Sequence, residues 1–246
     1  AIVIVAAIII FFTLTETGKR VIESVTDVGE FDMKGKLESC VKENEIIDEK
    51  IKLIMEQGGN LEPEFYYTFN STKLSYLCYT NQYYVTCINQ EPLLIQHVKT
   101  EVKKIVDSEI DKCIKNLKEE LQSSGYSVED RKKNSSIEFM PESIIININY
   151  PISIQKADKR SRFDSFSVIK PSRYYDLVVL ATSIINFEAR YGESDPIAYM
   201  ALYPEIRIEK LKQSEGTTIY RIDNRDSGEQ FNFAVRSLAW PIGYGF

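Results

Sequence analysis

The sequence predicts an α+β protein: a long hydrophobic N-terminal helix followed by a globular head of mixed helix and antiparallel sheet. Three observations predict it. The opening stretch, AIVIVAAIIIFFTL from Ala1 to Leu14, holds no charge, and Thr13 is its only polar residue. Apolar residues then recur at a spacing of three to four over three later stretches, the signature of one-sided helices. Between and after those stretches the pattern switches to apolar–polar alternation, the period of a strand.

A helix apolar on every side has to be buried, in lipid or in protein. Fourteen residues of helix reach about 21 Å, short of the ~30 Å hydrocarbon core of a bilayer. The stretch therefore reads as a trimmed membrane span or as a helix that packs against copies of itself. The h-region of a signal peptide is the remaining alternative. Val21, Ile22, Val25 and Val28 keep the helical spacing on one side, so the expected helix continues to about Val28, with Gly18 as a possible kink. Residues 1–28 are accordingly assigned to an assembly or anchor helix and residues 29–246 to the head.

Within the head, Asp32 to Gln57 reads as one helix with Leu37, Cys40, Val41, Ile47, Ile51, Ile54 and Met55 inward, stopped by Gly58-Gly59. TFNSTKLSYLCYTNQYYVTCIN reads as a hairpin with its loop at Asn81 to Tyr84, which sets Thr80 opposite Val85 and Cys78 opposite Cys87. A long helix opens at Pro92 and runs to Ser123, with Val98, Val102, Ile105, Val106, Ile110, Cys113, Ile114, Leu117 and Leu121 as its apolar stripe. ESIIININYPISI alternates so that Ile144, Ile146, Ile148, Tyr150, Ile152 and Ile154 share a face. Pro151 inside that run marks an edge or a bulge. A further helix begins near Pro171 and Ser172, with Leu177, Val178, Leu180, Ala181, Ile184, Ile185 and Phe187 buried, and closes at Gly192. EIRIEKL, TTIYRID and FNFAVRSL complete the strands.

The chain has 246 residues, 43% of them hydrophobic, enough for a sizeable core. Its net charge of −6 argues against a nucleic-acid surface, which shows as a basic balance. A single His removes most zinc sites and most His-based catalysis. That residue, His97, reads as structural because no catalytic partners are visible beside it. No nucleophile elbow, zinc-protease helix, phosphate loop or dinucleotide fingerprint occurs. Asp223 to Glu229 looks faintly like a calcium loop, but Arg225 occupies a ligand position, and a hairpin turn is the better reading. No catalytic residue, metal site or cofactor is assigned, and the chain is read as a non-enzyme.

The four cysteines form no CxxC pair. An even count behind a secretion-like start reads as two disulfides; four scattered zinc thiolates or four buried free thiols are the alternatives. The hairpin register pairs Cys78 with Cys87. That leaves Cys40 with Cys113, each on the apolar stripe of its helix, so that they meet where those faces pack. Asn70-Ser71-Thr72 and Asn134-Ser135-Ser136 are acceptor patterns for N-glycosylation, expected on the surface.

An apolar start turning one-sided and carrying an α+β head resembles the type IV pilin-like subunits of archaeal surface filaments. That resemblance covers the first 28 residues or so. It implies processing of a short basic leader and a filament core made of N-terminal helices. Bacterial pilins usually carry a carboxylate near the start, whereas Val5 is apolar here and Glu16 is the first acid. The head, through Glu38-Ser39-Cys40, Gly58-Gly59, Cys113, Tyr150-Pro151 and Phe231 to Arg236, also resembles uncharacterised archaeal membrane-anchored exported proteins.

The expected function is a structural subunit of an extracellular surface filament. Its expected assembly core is Ile2, Val3, Ile4, Val5, Ile8, Ile9, Ile10, Phe11, Phe12 and Leu14. The expected partners are further copies of the chain in a helical homo-oligomer, and the membrane before assembly, with no nucleic acid. A monomeric membrane-anchored ectodomain for adhesion or partner binding is the alternative, and an extracytoplasmic enzyme the third reading.

Overall fold

A computed structural model describes residues 32–240. The chain separates into two compact units, Ala1–Lys36 and Leu37–Phe246. Of the first unit only 32–36 are described; there the Asp32 carboxylate accepts from the Gly35 amide at 2.8 Å and starts the first helix. The helices are α1 (Met33–Lys42), α2 (Glu45–Glu56), α3 (Leu94–Ser123), α4 (Tyr174–Tyr191) and α5 (Pro196–Leu202). The strands are β1 (Tyr66–Phe69), β2 (Thr72–Tyr79), β3 (Ile88–Asn89), β4 (Ser127–Asp130), β5 (Asn134–Met140), β6 (Ser143–Lys156), β7 (Lys159–Pro171), β8 (Ile206–Lys212), β9 (Thr217–Asn224) and β10 (Gln230–Arg236).

The fold class needs correction. The described chain is a mixed α+β globular domain, and no helix among the described residues is long and apolar enough to cross a membrane. The longest, α3, has charged residues along its outer face and is built to cover a sheet. The expected apolar helix from Ala1 to Val28 lies outside the described residues. The sheets are also not wholly antiparallel. In the first, ordered β1-β2-β10-β9-β8 with β3 also on β2, strands β2 and β10 run parallel: Ala234 pairs with Tyr76 and Val235 with Cys78, across a bulge. A parallel pair needs a long crossover, and here almost the whole head lies between the two strands.

The expected helix from Asp32 to Gln57 is two helices. Asn44 breaks it: its side chain accepts from the Ile47 amide at 3.3 Å and donates to the Cys40 carbonyl at 3.2 Å, capping α2 while tying down the end of α1. The apolar stripe still holds on both sides of the break, for Leu37, Cys40, Val41, Ile47, Ile51, Ile54 and Met55 are all buried. Gly58 and Gly59 end α2 with φ of 76° and 91°. A side chain on Gly58 would meet the Asn232 carbonyl at 3.2 Å, so glycine here permits both the turn and the close approach to β10.

Helices α2 and α4 pack on β10, and α3 packs on β4 and β5 and against α2 and α4. The helices thus form a layer shared by the two sheets. β10 is buried from Phe231 to Val235, the mark of a central strand covered on both faces. On the helix side Phe231, Phe233 and Tyr220 are fully buried, with the Tyr220 and Phe233 rings stacked 5.3 Å apart. On the far side a small second cluster of Leu74, Ile219 and Ala234 is roofed by Tyr67, Phe69, Tyr76 and Leu211.

The second sheet centres on β6. Ile144, Ile146, Ile148, Tyr150, Ile152 and Ile154 are all buried on one face, as the alternation predicts. β7 pairs along one edge, while β5 and β4 share the other in succession. The ladder to β7 shifts between Asn149 and Ile152, so Pro151 stands at a bulge in a central strand, where its missing N–H costs no ladder bond.

Candidate functional site

Both expected disulfides are present. Cys40 and Cys113 have Cα atoms 5.8 Å apart and join α1 to α3. Cys78 and Cys87 have Cα atoms 5.3 Å apart. The register that suggested the second pair is nevertheless two residues off. Cys78 lies across from Asn89, and Tyr79 from Ile88, so Thr80 is not paired with Val85. The disulfide closes an irregular loop, and only two residues of its far arm are strand. Two disulfides are the chemistry of an oxidising environment, outside the cell or on the export route to it.

Asn70 and Asn134 are both exposed. Asn70 and Ser71, at φ of 47° and 66°, form the two-residue turn between β1 and β2, where strand twist favours positive φ at both central positions. Asn134 opens β5. The expected assembly residues Ile2, Val3, Ile4, Val5, Ile8, Ile9, Ile10, Phe11, Phe12 and Leu14 lie outside the described residues. Asp223 to Glu229 is the β9–β10 turn: the Asn224 side chain accepts from the Asp226 and Ser227 amides, both at 3.0 Å, and Gly228 takes φ of 71°.

A cleft of about 510 Å³ opens beside α3, lined by Asn60, Glu62, Glu64, Tyr76, Glu91 and Glu101 among others. The only histidine stands next to it. His97 Nε2 is 2.9 Å from Asn60 Oδ1 and its Nδ1 is 3.5 Å from Glu91 Oε2, so both ring nitrogens are engaged. Asn60 also donates to Ser75 Oγ at 3.0 Å, and that buried hydroxyl donates to the Gln57 carbonyl at 2.6 Å. Asn60 therefore separates the hydroxyl from the imidazole, and the contact that would activate a nucleophile is not made. Among the described residues no group of three or more His, Cys, Asp or Glu could hold a metal ion.

Two buried acids escaped the sequence reading. Glu109 on α3 is 4% exposed and is met by Lys50 at 3.1 Å and Lys112 at 2.9 Å. The Lys112 hydrogen bond, followed by that of Lys50, outweighs burial and holds its carboxyl below the usual range. Glu188 on α4 lies in the core. It accepts from the Tyr220 hydroxyl and, at 3.0 Å, from the Ser194 amide. Burial pushes its carboxyl up to about 7, against the Tyr220 hydrogen bond and the Lys210 charge. Each acid stands three to four residues from apolar stripe positions, Ile105 and Val106 or Ile184 and Ile185. An acid on the inward face of an amphipathic helix was the available signal.

Phe187 is exposed, not buried as its place on the stripe suggested. At the C-terminal end of α4 it contacts Tyr191, ring centroids 4.9 Å apart. No family model, no characterised protein and no solved structure matches this chain.

Proposed function

We propose that this chain is a non-catalytic subunit of an extracellular surface filament, assembled through its apolar opening residues and displaying the disulfide-locked head outward. The observation that carries this reading is the apolar run Ala1–Leu14, which has no polar face to turn to water. Left in water, that surface would aggregate; packed against equivalent surfaces of other copies it is covered on every side. Head-to-tail packing of this kind gives an open helical polymer when the rotation does not close. The two disulfides, and acceptor asparagines at exposed positions, fit a head that faces an oxidising exterior. The polar groups around His97 are spent on one another, which favours a structural role over catalysis.

The test is Ile9→Asp in the full chain, read by electron microscopy of native cell-surface material. A buried unpaired carboxylate is costly, so filaments should vanish while the head keeps both disulfides. Filaments that form normally with Asp at position 9, or wild-type surfaces bearing no filament of this chain, would overturn the proposal. A monomeric membrane-anchored ectodomain would then take its place.

A further inference from the structure

We propose that the surface formed by the Cys78–Cys87 loop, the end of α4 and Trp240 binds neutral carbohydrate. Three segments distant in sequence meet there. The Tyr84 amide donates to the Leu238 carbonyl at 2.7 Å, and the Leu238 amide returns a bond to Val85 at 3.3 Å. Asn89 on β3 reaches Asn186 on α4 at 3.5 Å. The α carbon of Gly192, just past α4, packs so closely on the segment before Trp240 that a β carbon there would collide with the Ala239 side chain and stand 3.5 Å from the Trp240 indole nitrogen. These links close a circuit of three segments, and exposed side chains stand along it, two of them, Phe187 and Tyr191, in ring contact.

Those side chains are large and uncovered: Tyr83, Tyr84, Ile88, Phe187, Tyr191 and Trp240. Tyr84 is 78% exposed and holds φ of 62°, a conformation a bulky residue avoids. The disulfide and the two bonds to Leu238 maintain it, so the fold expends backbone strain to present a ring to solvent.

The chemistry of the face selects the ligand. From Leu74 to Gln90 no residue is charged, the longest such run in a chain that is 27% Asp, Glu, Lys and Arg. The cations nearest to it are already engaged: Arg236 donates to the Thr80 carbonyl at 2.9 Å, and Arg190 lies over the Tyr191 ring, 5.2 Å from its centroid. The polar groups supplied are amides, Asn81 and Gln82 in the loop and Asn89 and Asn186 at its border. Flat aromatic faces beside amide donors and acceptors match a pyranose, whose C–H face stacks on a ring while its hydroxyls hydrogen-bond in the sugar plane. A second copy of the chain would be matched better by an apolar centre without interspersed amides. The inference does not depend on filament assembly, since the whole face lies in the head.

Trp240 is the only tryptophan, so its fluorescence reports this face alone. The full chain is screened on an array of neutral oligosaccharides, and the strongest hit is titrated against that fluorescence. The expected result is a saturable blue shift with a dissociation constant on the order of 1 mM or tighter. Tyr84→Gly, which removes the ring while suiting the positive φ, and Tyr191→Ala should each weaken binding about tenfold or more, with both disulfides and the circular dichroism unchanged. No hit on the array would overturn the proposal. So would a hit whose affinity both variants leave untouched, or a blue shift that follows protein concentration without sugar, which would mark the face as a contact between copies.

Discussion

The carboxylate of Glu188 accepts a hydrogen bond from the Tyr220 hydroxyl inside the core, joining the last turn of α4 to the middle of β9. The same oxygen accepts from the Ser194 amide, and Lys210, which pairs with Glu193, donates to the Ser194 carbonyl at 2.7 Å. The loop after α4 is therefore held by a buried acid and by Lys210 together. That loop follows Gly192, against which Ala239, the neighbour of Trp240, is packed.

This arrangement makes stability depend on pH. Burial raises the Glu188 carboxyl to about 7, whereas unfolded it titrates near the ordinary value of about 4.3. Between those values the folded state binds more protons than the unfolded state, so stability falls as pH rises through the window and levels off above it. The contribution lost is about 4 kcal/mol. Denaturant midpoints measured from pH 5 to 8 should fall for the wild type and stay flatter for Glu188→Gln. The variant should be the more stable protein at pH 8, by about 1–3 kcal/mol. Equal slopes for the two proteins would show that Glu188 is not the titrating group.

The two disulfides should contribute unequally. Cys40–Cys113 spans 73 residues and Cys78–Cys87 spans 9. In the chain-entropy model these loops are worth about 4 and about 2.5 kcal/mol. Replacing both members of the first pair by Ser should lower the unfolding free energy more than the same change in the second. Sugar binding should show the reverse ranking, because only the second bond closes the loop that carries Tyr83 and Tyr84. Urea melts and the Trp240 titration on the same two variants measure both rankings.

The β1–β2 turn offers a stabilising change. Asn70 and Ser71 both have positive φ, and Ser pays for that conformation where Gly does not. Ser71→Gly creates the Asn-Gly pair that such turns favour and leaves the glycosylation triplet intact. The melting temperature should rise by an amount corresponding to about 0.5–1 kcal/mol, and Ser71→Val should lower it. A fall with Gly would mean that the turn is not the two-residue form described.

Local patterns in the sequence carried a good deal of this protein. The inward faces of α2, α3 and β6, the break at Pro151, the left-handed cap at Gly192 and both disulfides follow from the spacing of apolar residues, from residues with special backbone geometry, and from an even set of cysteines. These features depend on neighbours a few residues away, or on which face of an element is apolar. Tertiary structure decided the rest. The parallel match of β2 to β10 joins strands more than 150 residues apart, and each strand alone reads equally well in a hairpin. The β2–β3 register slipped by two because the loop between Cys78 and Cys87 follows the backbone of Leu238, a partner no hairpin pattern contains. Phe187 continues the stripe of α4 in sequence yet faces water, because Glu188, one step further round the helix, takes the inward position at that turn. Glu188, its neighbour, is buried because Tyr220 and the Ser194 amide happen to converge there. Periodicity states which side of an element is apolar; which other element meets that side, and how far along, is settled only when distant segments compete for the same surface.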